Sequence, residues 1–164
     1  MNKAITRILR TENSLAPTIL RIALGSVMFA HGAQKALGWF GGPGFEGTMG
    51  FFTGTMGMPS IVALAVILTE FIGGAALIAG AASRLAALAT AGVMLGAIVM
   101  VHGQHGFFMN WFGAQAGEGF EYHLLAIGLA GGVALLGSGA YSVDRVLAKR
   151  LADSTPASAI AAAA

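Results

Sequence analysis

Four apolar runs, each close to the length of a membrane crossing, leave this chain few folds to choose from. They cover about residues 16–37, 60–82, 84–101 and 121–137. A helix needs roughly 20 apolar residues to cross a ~30 Å hydrocarbon layer. Only 10% of the 164 residues are charged and 56% are hydrophobic, where a soluble domain carries about 25% charged residues. So few charges do not cover a water-facing surface, and the bilayer must be the solvent. The sequence therefore reads as an all-α membrane protein, a four-transmembrane-helix bundle forming one domain. Pro17 and Pro59 stand where helices begin, since proline is tolerated in a first turn. The tight Ala82-Ser83 link makes the second and third spans antiparallel neighbours. Ala30 and Ala33 offer small residues after an apolar core, as a cleaved signal would; the length of the run favours a retained span.

Charge placement gives the orientation. Residues 1–15 form a basic lead-in carrying Lys3, Arg7 and Arg10. With the N-terminus inside, Arg84, Arg145, Lys149 and Arg150 also fall inside, with Arg21 just within the membrane, and only Lys35 falls outside. That is the positive-inside bias. It puts both termini in the cytoplasm, the 141–164 tail included, and the loops 38–58 and 102–120 outside. The net charge of +2 is thus spent on topology and not on a nucleic-acid patch. There is no cysteine, which excludes disulfide exchange and thiolate ligation of metals or Fe–S clusters by this chain.

The two loops share a phrase. Trp39-Phe40-Gly41 leads to Gly44-Phe45-Glu46, and Trp111-Phe112-Gly113 leads to Gly119-Phe120-Glu121. The chain thus reads as two hairpin-like halves, an internal repeat of the kind common in membrane proteins. Gly92 with Gly96 and Gly128 with Gly132 have the four-residue spacing that lets helix backbones approach in lipid. They serve packing within the bundle or an oligomer seam. Trp39, Trp111 and Tyr122 fall at the depth of interfacial aromatic anchors.

Few residues are left to carry chemistry. Glu70 lies near mid-membrane in the second span, where a carboxylate costs at least about 2.5–3.5 kcal/mol on insertion scales. It must be neutral or have a partner inside the bundle. By depth Arg21 and His31 both qualify, on opposite sides, and the sequence does not choose between them. An intramembrane carboxylate is by default a proton relay or ligand site, with a structural polar clasp as the alternative. His31, Gln34 and Lys35 share one helix face by their i, i+3, i+4 spacing. His102 and His105 stand at the outer end of the third span, and Glu121 and His123 at the mouth of the fourth. Three helix ends at one depth bring His, Lys and Glu together, a cluster suited to an anionic or quinone head group, a proton relay or a metal. His31 facing His102 or His123 would ligate haem b. Met49, Met56, Met58, Met100 and Met109 beside the histidines would suit copper as Cu(I), although methionine is also a common core filler. There is no nucleotide fingerprint and no recognisable Ser/His/Asp order.

Leu20-Arg21-Ile22-Ala23-Leu24-Gly25 with His31-Gly32-Ala33-Gln34-Lys35, then Glu70-Phe71-Ile72-Gly73-Gly74 with Gly80 and Arg84, then Gly119-Phe120-Glu121-Tyr122 together resemble the DoxX family of small bacterial membrane proteins. The resemblance spans about Leu20 to Leu136. It implies a four-helix bacterial inner-membrane bundle linked to electron transfer, with members tied to quinone reduction by thiosulfate and others to oxidoreductase complexes and oxidative-stress defence. Arg21, Lys35, Glu70, Arg84 and Glu121 match family positions. The expectation is a multi-pass inner-membrane subunit handling a quinone. Glu70 and His31 would act catalytically, while Lys35, His102, His123, Glu121 and Arg21 hold the head group. Electrons would come from a membrane or redox protein partner, or a soluble donor. The alternative from another class is a non-enzymatic accessory or assembly subunit of a respiratory complex, in a homo- or hetero-oligomer.

Overall fold

A computed structural model describes Leu9 and residues 11–153. Most of the basic lead-in and the far end of the tail lie outside the described residues. Those described are helical or irregular, with no strand among them. Helix α1 is Leu15–Leu37, α2 is Gly44–Gly50, α3 is Ser60–Ala79, α4 is Ser83–His105, α5 is Glu121–Leu136 and α6 is Val143–Asp153.

Helices α1, α3 and α4, of 23, 20 and 23 residues, are long and apolar enough to cross a membrane. Helix α5 is apolar but has 16 residues, about 24 Å at ~1.5 Å per residue. Ser14 starts α1 by accepting a hydrogen bond from the Ala16 amide at 3.2 Å, the N-cap arrangement. Gly80, left-handed at φ 71°, ends α3, sooner than the apolar run to residue 82 suggests. A side chain would not fit there: a Cβ on Gly80 would stand 2.5 Å from Cβ of Ser142.

Helices α1, α3, α4 and α5 form a ring in which each packs on two neighbours in that order. Leu24, Met28, Leu77, Ala87, Met94, Ala126, Ala130 and Val133 make the shared core. Ile19, Ile61, Leu88, Val99, Leu125 and Leu135 are turned outward, which is correct for a chain solvated by lipid. The closest backbone approach joins α1 to α3. A Cβ on Gly32 would meet the Phe71 amide nitrogen at 2.3 Å, and one on Gly74 the Phe29 nitrogen at 2.5 Å. The pairs singled out by four-residue spacing do not make this seam. Added Cβ atoms at Gly92, Gly96 and Gly128 meet nothing within 4 Å.

One end of the ring, the turn end, holds the Gly80–Ser83 link and residues 137–142; the other, the loop end, holds the two long loops. Arg21 closes the turn end. It is 1% exposed, with Nε donating to the Ser138 carbonyl at 2.7 Å and Nη1 to that of Leu77 at 3.0 Å and to that of Ile78. Nη2 donates to the carbonyls of Ala140 at 3.3 Å and Tyr141 at 2.8 Å. A guanidinium has five N–H donors, and all five are spent on backbone. Arg21 is thus a clasp between α1, the end of α3 and the 138–141 loop, not a head-group ligand as the sequence suggested. Asp144, also buried, accepts from the Ala82 and Ser83 amides at 2.7 and 3.1 Å and from the Ser138 hydroxyl, capping α4 from another helix.

Candidate functional site

A cavity of about 750 Å³ fills the loop-end half of the bundle. That is within the range of about 300–1,000 Å³ typical of small-molecule sites. It exists because α3 and α4 pack mainly through residues 69–79 of α3, while residues 60–68 stand away from α4. Val62 and Val66 line the space on one side and Val93, Gly96 and Ala97 on the other, so small side chains leave it open. Both loops contribute to the wall, Phe51, Phe52, Met56 and Met58 from the first and Met109 and Glu118 from the second.

Three widened π turns border this space. They are Phe51–Thr55, Thr69–Gly73 within α3 and Ile98–His102 within α4. Each supplies lining residues, Phe51 and Phe52, Thr69 and Glu70, then Met100, Val101 and His102. Such insertions are concentrated at functional sites because they re-aim side chains without ending the helix.

Glu70, at the centre of α3, is buried and pairs with Lys35. The Lys35 Nζ to Glu70 Oε2 distance is 2.5 Å, with the side chains 23% and 7% exposed. Neither candidate partner read by depth, Arg21 or His31, holds it. The pairing follows from the α1–α3 seam. Gly32 lies against the Glu70–Phe71 backbone, so Lys35 stands about 4.5 Å further toward the loops at ~1.5 Å per residue. A lysine stem spans that offset.

The structure brings His31, Lys35, Glu70, His102 and His123 to the same cavity. The rings of His102 and His123 lie 4.1 Å apart between centroids. Nδ1 of His102 is 2.8 Å from the Glu118 carbonyl oxygen. His31 lies beside Tyr122, with centroids 6.1 Å apart. Tyr122 is therefore not an interfacial anchor; it lines the cavity. Its hydroxyl and Nδ1 of His123 are buried with no hydrogen-bond partner. Buried polar atoms are nearly always satisfied; Ser83 Oγ and Thr90 Oγ1, on residues that do not line the cavity, are orphans too, so the two on cavity-lining residues are the ones a ligand's polar group could reach after a small side-chain movement.

Two residues from the sequence reading stand elsewhere. Arg21 is at the turn end, as described. Glu121 does not line the cavity; its Oε1 accepts from the Met109 amide at 3.0 Å and from Nε1 of Trp111 at 3.3 Å, tying the second loop to the start of α5. His105 packs its ring against Gly117, and Gln34 packs against Gly42. Missed from sequence were Tyr122, Met28 and Met94. Tyr122 precedes His123 at a helix start, which was the available signal. The methionines carried none, since an apolar residue in a span has no preferred side.

The DoxX family model matches residues 16–103. A relative from Bacillus subtilis (strain 168), named "Putative oxidoreductase CatD", is 32% identical over 126 residues, covering 77% of this chain and 82% of the relative. A second, "Inner membrane protein YqjF" of Escherichia coli (strain K12), is 34% identical over 116 residues, covering 69% of this chain and 82% of that protein. No solved structure matches the chain. With three helices of membrane length, a family model matching more than half its residues and two relatives aligned over most of theirs, the chain belongs to the DoxX family of membrane proteins.

Proposed function

We propose that this protein is a quinone-linked redox subunit of the bacterial inner membrane, with four spans and both termini cytoplasmic. One observation carries the reading. A mostly apolar cavity, with a gap between α3 and α4 on one side, is lined by Tyr122 and His123, each carrying an unpartnered buried polar atom. A quinone has that shape and chemistry, an apolar ring and tail with carbonyl oxygens that accept hydrogen bonds, and it carries two electrons and two protons. Tyr122 Oη and His123 Nδ1 orient one carbonyl by donating to it. His31 and His102 flank the ring, and methionine and valine walls exclude water. The Lys35–Glu70 pair fixes a proton-bearing group at the deep side of the cavity, where reduction takes up protons. Electrons come from a partner protein or soluble donor. The name of the CatD relative points to the same class of chemistry, and that of YqjF to the same membrane.

The test is binding of a short-chain quinone to purified protein. Y122F and H123L each remove one hydrogen bond of about 1–1.5 kcal/mol, so each should weaken binding about tenfold. E46Q, at an exposed residue outside the cavity, should leave it unchanged. H31A/H102A tests the flanking pair. Unaltered affinity in all of these defeats the reading. So does protein that is empty of quinone after mild extraction and copurifies in fixed ratio with a respiratory complex, the behaviour of an accessory subunit.

A second reading has its own support. Met28, Met56, Met58, Met94, Met100 and Met109, six of the eight methionines, line the cavity with three of the four histidines. Thioether and imidazole donors suit Cu(I). Copper analysis of the same sample separates the two, since this reading requires metal retained through purification and lost from M56L/M109L.

A further inference from the structure

The turn end carries a second hollow that the redox reading does not use. It measures about 420 Å³ and is lined by Asn13, Tyr141, Ser142, Arg145 and Lys149 among others. We infer that it binds the phosphate of an anionic phospholipid in the leaflet at that end.

Arg21 shapes the rim of this hollow. Its grip on the Tyr141 carbonyl holds that residue left-handed at φ 53°, and the ring stands 85% exposed beside the hollow. Helix α6 leaves from there. Val143, Val146 and Leu147, spaced i, i+3 and i+4, form one exposed apolar stripe. Arg145 and Lys149, one turn apart, flank it. A helix with an apolar stripe beside basic residues lies in a membrane interface. The sign of the hollow follows from where the acid went. Of the two carboxylates nearest in sequence, Asp144 is 1% exposed and held by Ala82, Ser83 and Ser138, and Glu12, next to Asn13, forms no ion pair with Arg145 or Lys149. Arg145 rests on the neutral amide of Asn13. Among the described side chains neither Arg145 nor Lys149 pairs with a carboxylate. The hollow is therefore cationic and sits where α1 and α5 leave the apolar layer, with an aromatic ring at its rim. Phosphate held at that depth belongs to a lipid with acyl chains beside the α6 stripe.

The experiment uses the full-length protein in mild detergent, titrated with phosphatidylglycerol or phosphatidylcholine and read by native mass spectrometry. Two basic side chains near an anionic surface are worth roughly a factor of five each, so phosphatidylglycerol should be retained about thirtyfold more tightly. R145Q/K149Q should erase the preference, and R150Q, outside the hollow, should keep it. Circular dichroism confirms that each variant is folded. Equal loss in R150Q and R145Q/K149Q would overturn the site in favour of diffuse charge attraction. Competition by millimolar inorganic phosphate would overturn the lipid as occupant in favour of a soluble anion. Absence of any preference in the parent protein overturns the inference outright.

Discussion

Removing the two halves of the Lys35–Glu70 pair should have unequal consequences. The pair is tight, at 2.5 Å, but its members differ in surroundings, the Glu70 side chain being 7% exposed and that of Lys35 23%. K35M strands a carboxylate in the middle of α3. An unpaired buried charge costs about 3–5 kcal/mol, and nothing else described donates to Glu70. E70Q instead strands an ammonium on a flexible stem near the loop end, where it can turn toward water, as long basic side chains do in membranes. Its cost is one exchanged hydrogen bond, about 1 kcal/mol. The singles should therefore differ by roughly 2–3 kcal/mol. K35M/E70Q should fall near E70Q, because replacing both partners removes the stranded charge that makes K35M costly. The assay is reversible unfolding in mixed micelles followed by far-UV circular dichroism, with the four proteins forming a double-mutant cycle. Equal singles, or a double variant whose cost is the sum of the two within about 0.5 kcal/mol, the usual limit of additivity, would refute both the pairing and the role of Glu70 as the residue that needs it.

The α1–α3 seam predicts that G32A costs about 2 kcal/mol in the same unfolding assay, the upper part of the ~1–3 kcal/mol overpacking range less the helix propensity gained, because the new Cβ would meet backbone at 2.3–2.5 Å. G128A, which meets nothing within 4 Å, should be neutral or slightly stabilising. R21K keeps the charge but has only three donors for five carbonyls; it should destabilise by at least about 2 kcal/mol, as the two carbonyls left unsatisfied cost about 1–3 kcal/mol each, while the folded fraction retains its cavity ligand. E121Q should raise amide hydrogen exchange at Met109 and nearby residues by about five- to tenfold, the loss of roughly 1–1.5 kcal/mol of tethering.

The part of this protein that could be read without coordinates is the part a bilayer fixes. Span length and the depth of each ionisable group come from residue count, so the helices α1, α3 and α4 and the shared level of His31, Lys35, His102 and His123 were legible. Direction around each helix axis was not, and three features set it. Gly25, Gly32 and Gly74 bring α1 and α3 into backbone contact without a four-residue repeat, whereas Gly92 and Gly96 have the repeat and face the cavity instead. The π turns at 69–73 and 98–102 each add a residue to a turn and rotate the rest of the helix about its axis, and no residue type announces them. Arg21 had the depth of a partner for Glu70, yet backbone carbonyls freed by the turns at Gly80 and residues 137–141 took all its donors. The repeated loop phrase divides in the same way. Trp39-Phe40-Gly41 and Trp111-Phe112-Gly113 both end on a left-handed glycine, at φ 75° and 65°, but Phe40 is itself left-handed at φ 54° and Phe112 is not, so only the terminal glycine is shared. After it Glu46 lies in the first turn of the short α2, while Glu121 starts the longer apolar helix α5. A local phrase specifies where the chain reverses; the element that follows depends on the next apolar run. That run begins at once after Glu121, while after Glu46 it waits until Ser60, and four of the intervening residues, Phe51, Phe52, Met56 and Met58, line the cavity.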